Sequence, residues 1–391
     1  MRNEIKLSIS TIIKMVGPRR LFILFFFCMN ILEAFRYIIV PGMGGSVIYN
    51  QNQKKIWPPD NPLVLKDLDI KLDPTTQLPN VPSILKPELG PVEGIKIDNA
   101  ATFFFTKNVF YSGMIQHLEK KGHEVLAFPY DFRFLLYDSY SKLLYQEMKH
   151  FIEKEKEKGP FIFICHSLGG LVFHHFLCSQ SRADKDWAKK YIQKVYYLNV
   201  PFGGAPISFY AIWESLREKK THQKEKRLEA AAPRHLLPIL RKSVTNMHLF
   251  SGFYLTLPLT SDPFYRIGDQ WIYKEKQMDQ LFAEMGGKDY SLLQKFHQTF
   301  WSDKVPERDM NPCPEIPQII LYGSKLNTTV FMDESSRSVL FGDGDGLIPI
   351  SSLTRPFHYW KEKPIMKEFP GIEHSRINNH KAVLRMLEEN S

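Results

Sequence analysis

The sequence predicts an α/β protein with a mostly parallel central sheet and helices on both faces of that sheet. Short apolar runs alternate along the chain with longer stretches of helical periodicity, which is the pattern of parallel βαβ units. Glycine-rich loops follow three of the apolar runs, at residues 41–46, 167–170 and 201–206. Because ligands bind at the carboxyl ends of parallel strands, we expect these loops to meet at one edge of the sheet.

The composition is that of a globular protein with a basic surface. Of the 391 residues, 43% are hydrophobic and 24% are charged, which is enough apolar material for a large core. The net charge of +9 favours an anionic partner, although solubility alone would also account for it. The sequence has neither zinc-finger spacing nor an aromatic–basic RNA-binding pattern, so we expect a lipid surface and no nucleic acid. The four cysteines include no C-x-x-C pair, which predicts no metal site and favours a reducing compartment.

Basic residues precede a short apolar run at residues 21–32. This order resembles a signal peptide with a long basic region, and the run is shorter than the roughly 20 residues of a spanning helix. A signal anchor or interfacial helix, and a helix packed on the domain, are the alternatives. We predict a targeting or membrane-associated segment at 1–34, which would place the protein at a membrane of the secretory pathway or at a cytosolic membrane face.

The rest of the chain, 35–391, is predicted to form one domain of alternating strands and helices. Expected strands are 37–40, 125–128, 161–166, 195–200 and 318–323, and expected helices are 110–121, 135–157, 171–178 and a terminal helix that ends near Glu389.

Two long stretches interrupt this alternation. Residues 50–101 are rich in proline, aspartate and lysine, and we interpret them as a lid or substrate-approach region. Trp57 in this region is a candidate substrate or lipid contact, with packing under its own loop as the alternative. Residues 207–317 are interpreted as an inserted, mostly helical cap. Its basic run at 219–227 is either a solvated face or a contact for acidic headgroups.

Residues 161–170, FIFICHSLGG, have the layout of a nucleophile elbow. An apolar strand delivers Ser167 onto a tight turn, and a helix leaves at once, with its free N–H groups directed at any oxyanion formed there. Cys165 stands where the G-x-S-x-G pattern has its first glycine, and a small residue is tolerated at that position. A buried strand followed by a glycine-containing helix start is the alternative. We identify Ser167 as the candidate nucleophile.

The other parts of a serine hydrolase site occur in a suitable order. The backbone N–H groups of Met43 and Leu168 are the expected oxyanion donors, although the loop that contains Met43 could be a plain strand–loop turn. A glycine-rich acidic loop carries two candidate acids, Asp343 and Asp345, and His374 precedes the terminal helix. The chain order serine, aspartate, histidine is that of α/β-hydrolases.

Several motifs are more specific than a generic hydrolase requires. They are VPGMGGS at 40–46, YDFR at 130–133, HSLGG at 166–170, PFGGAP at 201–206, FSG at 250–252, GDG at 344–346 and EH at 373–374. Together they span most of the chain and resemble those of the lecithin:cholesterol acyltransferase-like lipases. That family includes lysosomal phospholipase A2, plant phospholipase A1-like members and phospholipid:diacylglycerol acyltransferases.

The resemblance implies roles for particular residues. It makes Asp345 the acid of the triad, prefers His374 over His380, and leaves His166 as a structural residue. Residues 50–101 contain no cysteine, so the lid disulfide of secreted animal members is absent, which counts against secretion. Residues 346–348, GLI, replace the usual Gly-Thr-Val and mark a divergent member.

The activity implied by the resemblance is that of a serine-dependent phospholipase A or O-acyltransferase at a membrane surface. It would cleave an acyl ester of a glycerophospholipid and pass the acyl chain to water or to an acceptor alcohol such as a sterol or diacylglycerol, without a cofactor. The alternatives are a catalytically inactive lipid-binding protein with the same fold and a soluble esterase for small esters.

Overall fold

The computed structural model describes residues 34–50, 52–59, 66–73, 88–96, 110–221, 246–272, 275–336 and 338–389. Apart from Ala34, the predicted N-terminal segment therefore lies outside the described residues. The same is true of parts of the predicted lid region and of residues 222–245 in the predicted cap. Among the described residues, no helix combines the length and the apolar character needed to cross a membrane.

The strands are short and are distributed along the described chain from Arg36 to Pro370. They are β1 (Arg36–Val40), β2 (Ile48–Tyr49), β3 (Lys55–Trp57), β4 (Glu124–Ala127), β5 (Phe161–His166), β6 (Ile192–Leu198), β7 (Tyr265–Ile267), β8 (Gln270–Ile272), β9 (Gln318–Ser324), β10 (Thr328–Asp333), β11 (Ser338–Gly342) and β12 (Ile365–Pro370).

Helices lie between most of these strands. They are α1 (Ser112–Lys120), α2 (Asp138–Lys154), α3 (Leu168–Ala183), α4 (Trp187–Tyr191), α5 (Pro206–Thr221), α6 (Ser251–Tyr254), α7 (Glu275–Met285), α8 (Tyr290–Thr299), α9 (Val305–Arg308), α10 (Ile350–Leu353), α11 (Arg355–Tyr359) and α12 (Lys381–Glu389). Single 3₁₀ turns occur at Val92–Gly94, Lys156–Lys158, Met247–Leu249, Gly287–Asp289 and Ile377–Asn379, and a π-helical turn at Phe300–Lys304.

The central sheet has six strands in the order β12-β9-β6-β5-β1-β4, and every pairing in it is parallel. Helices return the chain between successive strands, so the carboxyl ends of all six strands meet at one edge. The predicted α/β class with a mostly parallel sheet is therefore confirmed.

Alternate side chains of β1 enter two separate cores, one on each face of the sheet. Tyr37 and Ile39 pack in a core that includes residues of α1 and α12. Ile38 and Val40 pack in a larger core that includes residues of α2 and α3. All four side chains are fully buried, which explains why β1 reads as a continuous apolar run rather than an alternating one.

A second sheet of four strands, in the order β11-β10-β7-β8, continues from the carboxyl edge of the central sheet beyond β9. Neither this sheet nor β12 was predicted from the sequence. β7 and β8 have three residues each, and they come from an insertion expected to be mostly helical. β11 exposes two consecutive apolar side chains, Leu340 and Phe341, so it lacks the period of two that identifies a strand.

Four of the buried histidines are held as neutral rings. Burial lowers the pKa of His166 to about 3 and those of His174 and His297 to about 4, because a charged imidazolium loses its hydration in the interior. Burial also lowers the pKa of His175. In the unfolded chain these rings would take up protons near pH 6.5.

These histidines predict a loss of stability in acid. Below pH 6.5 the histidines bind protons in the unfolded state but not in the folded state. The free energy of unfolding therefore decreases as the pH is lowered, by up to about 1.4 kcal/mol per pH unit for each histidine. Urea unfolding at pH 7 and at pH 5 should give a lower midpoint at pH 5. His297→Gln should reduce this slope. Equal midpoints at the two pH values would contradict the prediction.

Candidate active site

Ser167 occupies the turn between β5 and α3 at the carboxyl edge of the sheet. Its backbone angles are φ 52° and ψ −129°, a conformation that non-glycine residues rarely adopt. The backbone N–H of Ser167 donates to the carbonyl of Leu198 at 2.9 Å, which holds the turn against β6. The strand therefore ends and the helix begins within one residue.

Two glycines at the start of α3 make this turn sterically feasible. A Cβ atom on Gly169 would lie 2.2 Å from the carbonyl oxygen of Pro41, and one on Gly170 would lie 2.1 Å from Cγ2 of Val200. The first turn of α3 therefore packs directly on the loops that follow β1 and β6. Cys165 is an interior residue of β5, paired with Val40 and Tyr197, so its position does not need glycine.

A chain of hydrogen bonds connects Ser167 to two residues from distant parts of the sequence. Nε2 of His374 lies 2.8 Å from Oγ of Ser167, and Nδ1 of His374 lies 2.6 Å from Oδ2 of Asp345. With Nδ1–H donating to the carboxylate, Nε2 is left to accept the proton of the serine hydroxyl. The three side chains proposed from the sequence thus meet in the arrangement that activates a serine.

Asp345 is fully buried, and its carboxylate is held by backbone donors. Oδ1 accepts the N–H groups of Leu347 at 3.0 Å and Ile348 at 2.7 Å, which leaves Oδ2 for His374. Asp343, the other candidate, is exposed, and its carboxylate accepts the backbone N–H of Lys325. Of the two aspartates, Asp345 is the one that contacts the histidine.

The loop after β1 lies beside the serine. A Cβ atom on Gly42 would lie 2.9 Å from Cβ of Ser167, so Met43 is one residue from direct contact with the elbow. The helix α6 reaches the same place, because a Cβ on Gly252 would lie 3.2 Å from Cδ2 of Leu168 and 3.4 Å from Cε of Met43. Apolar side chains from the loop and the elbow therefore converge beside α6.

Trp57 supports this loop from inside the protein. Its side chain is 1% exposed, and its indole N–H donates to the carbonyl of Gly44 at 2.7 Å. The ring packs against Gly44, where a Cβ would lie 3.3 Å from Cζ2 of the tryptophan. This placement corrects the interpretation of Trp57 as a lipid contact, because a buried indole has no surface to offer to a membrane.

The YDFR motif contacts both Leu68 and the start of α6. Arg133 forms a buried ion pair with Asp131, at 2.7 Å between Nη2 and Oδ2, and donates to the carbonyl of Leu68 at 3.0 Å. The carbonyl of Arg133 accepts the backbone N–H and the hydroxyl of Ser251 at the start of α6. The motif therefore ties the segment around Leu68 and the start of α6 to each other.

Residues around His374 that the sequence did not single out complete its surroundings. Asn199, which follows β6, donates from Nδ2 to the carbonyl of His374 at 3.0 Å and accepts the N–H of Gly323 at 2.7 Å. Asn199 is fully buried at the carboxyl edge and has a φ of 47°. Both properties identify it as a site residue in the structure, but neither can be read from a sequence. His380 lies at the start of α12 and packs against Phe369.

A second Ser–His–Asp hydrogen-bond chain joins α5 to the 3₁₀ turns Met247–Leu249 and Gly287–Asp289. Oγ of Ser215 is 2.9 Å from Nδ1 of His248, and Nε2 of His248 is 3.0 Å from Oδ2 of Asp289. The two imidazole nitrogens have exchanged roles relative to His374, and Ser215 lies inside the helix α5. The exposures are 4%, 0% and 2%, so we interpret this chain as structural.

The architecture described above is that of the α/β-hydrolases. In these proteins a serine lies on the sharp turn between one strand of a parallel sheet and the following helix. The lecithin:cholesterol acyltransferase family model matches residues 52–246. The chain is a member of the lecithin:cholesterol acyltransferase-like family, as the resemblance of its motifs indicated.

Characterised relatives align with much of the chain at low identity. Lecithin-cholesterol acyltransferase-like 1 of Arabidopsis thaliana is 27% identical over 299 residues, which cover 70% of this chain and 63% of that protein. The lysosomal phospholipase A and acyltransferase of Canis lupus familiaris is 24% identical over 279 residues, which cover 68% and 62%. The chain thus matches less than two thirds of the length of these two relatives.

Solved structures give weaker likenesses. A chain of the Tle4–Tli4 complex aligns with 91% of this chain and 97% of its own length at 11% identity, with a TM-score of 0.46. A soluble variant of monoglyceride lipase from Saccharomyces cerevisiae covers 72% and 80% at 13% identity, with a TM-score of 0.36. Because both scores are low, the fold assignment rests on the sheet and the elbow themselves.

The buried ion pair of the YDFR motif predicts a large effect on stability. Asp131→Asn leaves the charge of Arg133 buried without its counter-charge, which should lower the free energy of unfolding by about 3–5 kcal/mol. Asp186→Asn, which breaks an exposed ion pair with Lys189, is the control and should have little effect. Urea unfolding of both variants measures the difference, and equal stabilities would contradict the structural role given to the motif.

Proposed function

We propose that this protein is a serine lipid acyl hydrolase or acyltransferase that takes an acyl chain from a glycerophospholipid through an acyl-enzyme on Ser167. The observation that carries the proposal is the hydrogen-bond chain from Ser167 through His374 to the buried carboxylate of Asp345. The substrate class is supported by family membership and by relatives named as lysosomal phospholipase A and acyltransferase.

In the first half-reaction, Nε2 of His374 accepts the hydroxyl proton while Oγ of Ser167 attacks the ester carbonyl carbon. Asp345 keeps the imidazole in the required tautomer and stabilises the imidazolium that forms. When the tetrahedral intermediate collapses, the bond to the glycerol oxygen breaks, and His374 returns the proton to that oxygen. The lysophospholipid leaves with a hydroxyl group, and the acyl chain stays on Ser167 as an ester.

The negative charge of the tetrahedral intermediate falls on the former carbonyl oxygen. The backbone N–H groups of Met43 and Leu168 are the proposed donors to it, because the loop after β1 and the first turn of α3 flank the serine. The start of α3 adds the favourable field of a helix N-terminus. Apolar side chains of Met43 and Leu168 offer a dry surface beside the reacting ester.

In the second half-reaction, His374 takes a proton from an acceptor that attacks the acyl-enzyme. Water as the acceptor releases a fatty acid, and an alcohol such as a sterol or diacylglycerol yields a new ester. We propose that this chemistry occurs at a membrane surface and that residues 35–391 act as one hydrolase domain. In that domain, residues 50–101 serve as the lid and 207–317 as the cap above the site.

Removal of the nucleophile should abolish the activity. Ser167→Ala should lower acyl release from phosphatidylcholine vesicles by at least about 10³-fold, because no other group can form the acyl-enzyme. Mass spectrometry of free fatty acid and new ester, with and without added sterol or diacylglycerol, measures both outcomes of the second half-reaction. A fluorophosphonate probe should label the native protein and not this variant.

The serine of the cap provides the matched control. Ser215→Ala removes the hydroxyl of the other Ser–His–Asp chain, so it should leave fluorophosphonate labelling in place. Circular dichroism establishes that both variants fold. Labelling of a folded Ser167→Ala protein, or activity retained by it, would rule out the proposed mechanism, and a native protein that is neither labelled nor active would indicate a lipid-binding role.

The two neighbouring aspartates should differ sharply in their effect on catalysis. Asp345→Asn favours the wrong tautomer of His374 and should lower kcat by about 10³–10⁴-fold. Asp343→Asn, two residues away and exposed, should change kcat little. Steady-state kinetics on phosphatidylcholine vesicles make the comparison, and similar losses in the two variants would be inconsistent with the assignment of Asp345.

A further inference from the structure

The side chain of His166, next to the nucleophile, bridges two parts of the candidate site. Its Nδ1 lies 2.9 Å from the hydroxyl of Tyr111, and its Nε2 lies 3.1 Å from the backbone carbonyl of His374. The hydroxyl of Tyr111 in turn accepts the backbone N–H of Gly42 at 2.7 Å. A continuous hydrogen-bond path therefore runs from the oxyanion loop to the residue that would serve as general base.

The direction of every proton in this path follows from its two ends. At one end a backbone N–H can only donate, so the Tyr111 oxygen accepts from Gly42, and at the other end a carbonyl oxygen can only accept, so neutral His166 carries its ring proton on Nε2 and donates it to the carbonyl of His374. Nδ1 of His166 then has no proton and accepts the hydroxyl proton of Tyr111. The path thus selects one tautomer of His166.

The environment keeps this assignment unchanged over the working pH range. Tyr111 is 1% exposed and His166 is 3% exposed. Burial lowers the pKa of His166 to about 3, so the ring stays neutral, and burial raises the pKa of the Tyr111 phenol, so the hydroxyl keeps its proton. Neither residue can act as a proton carrier near neutral pH.

The carbonyl of His374 receives a second donor from the opposite side. Nδ2 of Asn199 donates to it at 3.0 Å, so both lone pairs of this oxygen are engaged. The peptide that follows His374 is therefore fixed in orientation, while its imidazole is fixed by Asp345 and Ser167. Small errors in the placement of a general base are costly, because proton transfer requires a short and aligned contact.

We propose that Tyr111 and His166 are positioning residues, which hold His374 and the oxyanion loop in a fixed relation to Ser167. This inference rests on the proposed function, since it assigns the two residues to the same reaction. A positioning role differs from a purely structural role in its effect on the kinetics. Loss of the hydrogen bond that Nε2 of His166 donates should lower kcat more than it changes KM.

Three variants test the path in the full-length protein. Tyr111→Phe removes the acceptor for Gly42 and the donor to His166, and should lower kcat on phosphatidylcholine vesicles by about 10²-fold with KM little changed. His166→Leu should have a similar effect. His166→Gln carries an amide N–H near the position of Nε2 and should recover most of the lost kcat. Fluorophosphonate labelling rates should follow the same order.

The matched control is Tyr140→Phe, which also removes a buried phenol that accepts a backbone N–H, in this instance from Asp131. It should lower stability without lowering kcat. If folded Tyr111→Phe keeps the native kcat, or if the Gln and Leu variants of His166 lose activity equally, the positioning role is overturned. A loss of kcat in Tyr140→Phe as large as that in Tyr111→Phe would also overturn it.

A measurement that does not depend on turnover separates this inference from the proposed function. In ¹⁵N-histidine NMR spectra of the native protein, His166 should appear as the Nε2–H tautomer from pH 8 down to about pH 4. Tyr111→Phe should shift the ring signals of His374, and Tyr140→Phe should not. An Nδ1–H tautomer of His166 would overturn the inference, whereas an inactive protein with the expected spectra would refute only the proposed function.

Discussion

The direct contact between the first turn of α3 and the backbone of the loop after β1 is the constraint on which the candidate site depends. Gly169 has no side chain, so the carbonyls of Val40 and Pro41 can approach the helix more closely than any Cβ would allow. This approach puts the two proposed oxyanion donors on either side of one serine. It also explains why the elbow tolerates Cys165, since the close contact lies on the helix side of Ser167 and not on the strand side.

The second requirement is to bring groups from distant parts of the chain to that serine. Parallel strand order does this, because β9 and β12 lie on the same side of β6 and release their following loops at the same edge. His374 lies in the loop after β12, and Asp345 follows β11 and forms a single β-bridge with Leu326, just after β9. The backbone N–H of His374 donates to the carbonyl of Asp345 at 2.9 Å. Buried backbone donors then keep the carboxylate oriented without any help from solvent.

Five of the six strands of the central sheet and the elbow could be predicted because each depends on a local pattern, whereas the choice of Asp345 over Asp343 and of His374 over His380 came from the resemblance to the family. Buried parallel strands are uninterrupted apolar runs, and the turn that carries Ser167 is marked by its glycines. The second sheet could not be predicted, because two of its strands have only three residues each and its exposed residues include Trp271, Leu340 and Phe341. The contacts of Trp57, Tyr111 and Asn199 depend on neighbours far away in the sequence, which no local pattern reports.

The buried chain of Ser215, His248 and Asp289 has a consequence for how the segments that carry these residues unfold. Its members come from three separate segments, and a buried polar group that loses its partner costs more than one that was never buried. If one of the three segments detached from the others, a polar side chain would therefore remain in an apolar interior without its hydrogen-bond partner. The three segments should consequently open as one cooperative unit, and the amide hydrogens near these residues should exchange with similar protection.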